Sequence, residues 1–105
     1  MFYKVKAKYK EEKLSLFYKK LTDGSVSNQK PDGNEIVSSM ERAKITEPGI
    51  IEWFEICFCP TPLQHERNTV YDHFLSDIKT KEVDEYGEVG GESFWSYLNA
   101  NSNQK

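Results

Sequence analysis

Between positions 57 and 67 the chain reads CFCPTPLQHER, which brings two thiols, an imidazole, a carboxylate and a guanidinium close together. Cys57, Cys59 and His65 are good ligand types for zinc and other soft metals. A thiol just ahead of a helix start can also be held as a thiolate and act as a nucleophile. The spacing argues against both chemistries. C-x-C departs from the usual C-x2-4-C pairing, there is one such pair, and a structural site normally needs four ligands. On a helical wheel beginning at Leu63, His65 falls with Asp72 and Ser76 on the side away from the core, and His73 lies about three turns from the helix start. No metal, no cofactor and no catalytic residue is therefore expected. The cysteines read as small apolar side chains at a strand end.

Arg67 is the less obvious candidate. At about 100° per residue, Leu63, Val70, Phe74 and Ile78 form one apolar stripe, with Tyr71 beside it and Arg67 near its middle. A guanidinium there must snorkel, pair with Glu52 or Glu55, or bind an anion. The preceding strand, 50–59, has two faces. Ile50, Phe54, Ile56 and Phe58, with Glu52, are assigned to the core. Ile51, Trp53, Glu55, Cys57 and Cys59 are assigned to the open side, an assignment that a one-residue slip reverses. The candidate ligand-binding residues are then Trp53 as an apolar wall, Arg67 as an anion clamp, and Glu55, Cys57 and Cys59. They would meet at the junction of strand 50–59 with helix 61–78.

The elements that must position them follow from period. Residues 2–10 alternate lysine with Tyr3, Val5, Ala7 and Tyr9, the pattern of a half-buried strand. Leu14, Phe17, Tyr18 and Leu21 then fall on one helical stripe, and Gly24 sits where a helix end favours a left-handed residue. Asp32 and Glu35 have capping-box spacing before a short helix near 33–41. Pro48 and Gly49 suit the centre of a type II turn ahead of strand 50–59. Thr61, Pro62 and Gln64 read as the start of a helix running to about 77 or 78. A last strand is expected over 79–86, then a short aromatic helical segment, with 99–105 as a disordered polar tail. This order predicts one α+β domain over 1–98: a ferredoxin-like βαββαβ sandwich with an extra short helix before strand 2 and a short C-terminal helical segment.

Composition bounds the partners. The chain has 105 residues, of which 37% are hydrophobic and 13% aromatic, with a net charge of −3. Lysines crowd residues 1–20 and acids crowd 82–92. In the expected topology the last strand lies beside the first, so acidic 82–85 would face Lys4 to Lys10 across the ladder and explain the asymmetry without nucleic acid. An acidic third strand lacking glycine also argues against RNA binding. No apolar run approaches the ~20 residues of a membrane span. Two cysteines two positions apart make no disulfide framework, which favours a cytoplasmic location. The expected function is a non-catalytic binding or assembly module, homodimeric through the open sheet face or the FWSYL segment. The alternative is a protein, or an enzyme, with a pocket for a small anionic ligand at the strand–helix junction.

Overall fold

The computed structural model describes residues 1–57, 61 and 63–102. In chain order the elements are β1 (Phe2–Tyr9), α1 (Leu14–Thr22), α2 (Gly33–Arg42), β2 (Lys44–Glu47) and β3 (Ile50–Ile56). Then follow α3 (Gln64–Glu66), a π-helical turn (Arg67–Tyr71), α4 (Asp72–Phe74), β4 (Leu75–Val83), β5 (Glu92–Ser93) and α5 (Phe94–Ser102). This is an α+β domain whose five strands form one antiparallel sheet in the order β4-β1-β3-β2-β5. Among the described residues no helix is long and apolar enough to cross a membrane.

β1 forms as its alternation requires, with Tyr3, Val5 and Ala7 buried and the lysines between them exposed. Leu14, Phe17 and Leu21 give α1 its buried stripe, and Gly24 beyond it takes the left-handed φ of +92°. Phe17 stacks flat on Phe74 at 4.6 Å between ring centres, tying α1 to α4. Burying a ring of this size stabilises the fold by roughly 1.5–3 kcal/mol. Gly49 has a φ of +84° in the turn that joins β2 to β3.

Three expectations are corrected. The first concerns the faces of β3, which are the reverse of those assigned. Ile51, Trp53, Glu55 and Cys57 are buried against the helices, and Ile50, Glu52, Phe54 and Ile56 share the other face with the lysines. Both faces of this strand carry large apolar groups, so its own alternation does not choose between them. Its neighbour chooses: Val5 pairs with Trp53 and Ala7 with Ile51, while the lysine side of β1 must stay in water.

The second is the helix expected over 61–78. It ends at Phe74, and β4 starts at Leu75, paired with Tyr9. Tertiary pairing along β1 overrides the helical period of Ile78. A register shift between Lys6 and Lys8, with Asp77 at a φ of +50°, accommodates the change. The third is the charge ladder. β4 does lie antiparallel beside β1, but Lys81 faces Lys4, Lys79 faces Lys6, and Glu82 faces Tyr3 on the opposite side of the sheet. Lys4 instead meets Glu52 on β3 at 3.5 Å, and Lys8 meets Asp77 at 3.2 Å.

The groups that argued for a homodimer are largely, though not wholly, covered. Ile51 and Trp53 are inside, and so are Phe94 and Leu98 of the aromatic segment, with Trp95 and Tyr97 packed partly against the core. That segment forms α5, which continues through Ser102 into the stretch expected to be a tail.

Candidate ligand-binding site

The end of β3 is where polar side chains converge. β2 is too short to pair with this part of β3, and α2 lies alongside it instead. Glu35 of α2 accepts the Ile56 N–H at 3.1 Å, and Arg42 donates to the Phe54 carbonyl at 2.8 Å. The two side chains form an ion pair at 3.3 Å, so together they satisfy the strand edge as a neighbouring strand would. Glu35 also accepts the Tyr86 hydroxyl at 2.6 Å, and the Arg42 guanidinium lies over the Tyr86 ring at 4.8 Å. Burial first, and the Glu35 carboxylate second, push the Tyr86 phenol up to about 12.

Beside this edge is a cavity of about 300 Å³. Pro31, Ile56 and Cys57 give it an apolar wall, and Asp32, Glu35, His65 and Glu66 line the rest. Asp32 is the residue before α2, but its carboxylate does not cap the helix. Oδ2 lies 2.6 Å from His65 Nδ1, and Oδ1 accepts from the Gln29 amide at 3.0 Å. A carboxylate in this position accepts the Nδ1–H, so that in the neutral imidazole Nε2 is left as an acceptor. The Gln29 amide also donates to Thr69, whose hydroxyl donates to the His65 carbonyl, and this fixes the imidazole's backbone from below.

Glu66 is 1% exposed, and the Cys57 thiol donates to its Oε1 at 3.6 Å. Behind it lies Glu55, fully buried, whose Oε1 accepts from Trp53 Nε1 at 2.7 Å and from the Tyr71 hydroxyl at 2.6 Å. Its Oε2 is buried with no hydrogen-bond partner among the described residues. Burial pushes the Glu55 carboxyl well above the usual carboxylate range, and the nearby Glu66 and Glu35 add to the effect against the two donors. Burial, reinforced by Glu55, likewise raises the Tyr71 phenol. The interior thus favours a neutral acid at Glu55.

His65 is therefore not on an idle side of the helix. A wheel drawn from Leu63 fails for His65 because Leu63 sits at a left-handed φ of 58° outside the helix, and Asp32 reaches the imidazole from the residue before α2. Of the five candidate residues, Cys57 lines the cavity. Trp53 and Glu55 are joined to each other in the layer behind it. Arg67 turns to Asp72 at the half-exposed surface, 3.1 Å away, and is not part of the lining. Cys59 lies outside the described residues, as do Pro62 and the part of the expected capping box that depends on it. Asp32, Glu35 and Glu66 were missed. The first two have the spacing of a capping box, and nothing in that spacing signals that both carboxylates turn elsewhere.

Comparisons of the chain with protein-family models, curated proteins and solved structures found no match. The chemistry of the site accordingly rests on its own geometry. Among the described residues no group of three or more histidine, cysteine or acidic side chains is arranged to hold a metal ion. What the arrangement can do is accept hydrogen bonds and stabilise positive charge beside an apolar wall.

Proposed function

We propose that the protein is a non-catalytic binding module whose site is the cavity at the end of β3, and that its ligand is a small organic cation. The observation that carries this reading is the convergence of Asp32 and Glu66 with His65 on one cavity beside Pro31, Ile56 and Cys57, where Glu35, already paired with Arg42, is a third carboxylate of the lining. Hydrogen-bond acceptors bearing negative charge select an ammonium or guanidinium group, and the apolar wall takes its carbon body. The proposed site lies beside the end of β3, with His65 and Glu66 of α3 on its lining. The sign of the ligand's charge is opposite to that expected, because Arg67 is engaged by Asp72.

A binding role is favoured over catalysis because the Cys57 thiol is buried and faces a carboxylate. The buried Cys57 thiol also suits a reducing compartment such as the cytoplasm. The order β4-β1-β3-β2 with antiparallel pairing supports reading the first four strands as ferredoxin-like, with β5 as an addition at the edge.

The test is calorimetric titration with benzylammonium and butylguanidinium, set against benzoate and benzyl alcohol. The two cations are expected to bind and to shift amide resonances at Asp32, Glu35, Cys57 and Glu66. Asp32→Asn is expected to weaken them about tenfold, the scale of one charge-assisted hydrogen bond. Equal binding of benzoate, or full affinity in both Asp32→Asn and Glu66→Gln, would refute the assignment.

A further inference from the structure

A second cavity, of about 370 Å³, lies on the other side of Gln29 and Thr69, between α1 and the π-helical turn. We propose that it is a separate binding site for an amphiphilic carboxylate: an apolar chain or ring ending in a single negative charge. The proposal does not rest on the reading of the Asp32–His65 cavity, since the two differ in lining and in sign of charge.

Three observations carry it. The floor is apolar, formed by Val26, Val70 and Phe74, and its size is in the range of ordinary ligand pockets. Leu16 stands at its mouth, 45% exposed and outside the buried stripe of α1 made by Leu14, Phe17 and Leu21. Among the described residues, only Met1 and Tyr86 join it as exposed large hydrophobics, so an open leucine beside an apolar cleft is a specific feature of this surface.

The rim is basic. Lys13, Lys20 and His73 surround the opening, and neither lysine forms a salt bridge among the described residues. Asp23 accepts from the backbone and hydroxyl of Ser25 through Oδ1, and its charge reaches Lys20 at longer range without forming a salt bridge. The floor alone would accept any hydrophobe. The two ammonium groups discriminate, because they stabilise a carboxylate at the mouth and repel a cationic head.

One side of this cavity is π-helical, in the turn from Arg67 to Tyr71. Such turns are rare and occur disproportionately at functional sites. This one contributes Thr69 and Val70 to the proposed site and Tyr71 to the buried Glu55 cluster.

The experiment titrates the whole chain with decanoate, decanol and decyltrimethylammonium below their micellar concentrations. Calorimetry gives affinity and amide shift mapping gives location. Decanoate is expected to saturate one site, with shifts confined to residues 13–20, 25–29 and 69–74. Decyltrimethylammonium is expected to bind at least about tenfold more weakly, and Lys20→Glu to weaken decanoate by a similar factor. Val70→Trp fills the floor and should abolish binding. Should that variant fail to fold, Leu16→Glu at the exposed mouth asks the same question without disturbing the core. The proposal is overturned if the three amphiphiles bind alike, if the shifts fall outside those segments, or if Lys20→Glu and Leu16→Glu both bind decanoate as the parent does.

Discussion

Glu55 is a costly residue to bury, a carboxyl enclosed with one oxygen doubly hydrogen-bonded and the other without a partner among the described residues. Burial raises its folded-state value well above the 4.5 of an unperturbed glutamate. The folded state therefore holds a proton that the unfolded chain releases, and stability falls as pH rises from about 4.5 towards the raised value. Glu55→Gln keeps an acceptor for Trp53 and Tyr71 and removes the titration. The variant is expected to be more stable than the parent at alkaline pH and closer to it near pH 4, as read from urea midpoints across pH. A parallel pair of pH profiles would show that Glu55 is not the group responsible. Tyr71→Phe acts in the other direction. It leaves Oε1 with one donor fewer and should cost about 1–3 kcal/mol, as for any buried polar group that loses a partner.

At the scale of elements, the connection 84–91 has to carry the chain from β4 at one edge of the sheet to β5 at the other. It does so along the face that also presents the lysines: the Tyr86 ring meets Phe2 edge-on at 5.2 Å, and Gly87 lies on the Phe54 ring. Its last residue, Gly91, has a φ of +130°, and a Cβ there would run into the Ile45 carbonyl, so only glycine lets β5 close on β2. Tyr86 pins the crossing to α2 through Glu35. With its phenol raised from 10 to about 12, the folded state favours the protonated form. The pin is intact below pH 10 and is lost as pH rises through about 12. Tyr86→Phe should speed amide exchange across 84–91 and leave β1 and β3 protected; unchanged exchange in the crossing would mean that Phe2 and Phe54 alone hold it.

The same elements explain what the sequence made legible. β1 and α1 could be read because each has one pure period, lysine against apolar in β1 and a single apolar stripe in α1. β3 could be recognised as a strand but not oriented, since Ile50, Phe54 and Ile56 match Ile51, Trp53 and Cys57 in apolar bulk. The candidate cavity lies near the strand–helix junction, but most of its residues were not legible there. Asp32 stands 33 residues from His65, and the left-handed φ at Leu63 takes the wheel's reference position out of the helix.

At the scale of the whole molecule, the net charge of −3 conceals a sheet face on which Lys4, Lys6, Lys8, Lys79 and Lys81 gather on adjacent strands. Two of the cross-strand pairs are like charges, Lys4 with Lys81 and Lys6 with Lys79. Glu52 and Asp77 relieve Lys4 and Lys8, while Lys6, Lys79 and Lys81 form no salt bridge among the described residues. Local and global electrostatics therefore make opposite demands. Replacing Lys79 or Lys81 by glutamate puts an acid directly opposite a lysine, a change that favours the fold by about 0.2–1 kcal/mol per pair. The same substitution makes an already negative protein more negative, and self-repulsion then opposes the compact state. The pair is adjacent, whereas the other acids are spread over the surface and screened beyond a Debye length of about 10 Å at 0.1 M salt. The local contribution should prevail. Lys79→Glu and Lys81→Glu are each expected to raise the urea midpoint at low ionic strength, and the gain should shrink in about 1 M salt, where the screening length falls to roughly 3 Å. A lowered midpoint that recovers with salt would show instead that the net charge of the molecule governs, and that the lysine face offsets the acidic crossing as a whole rather than residue by residue.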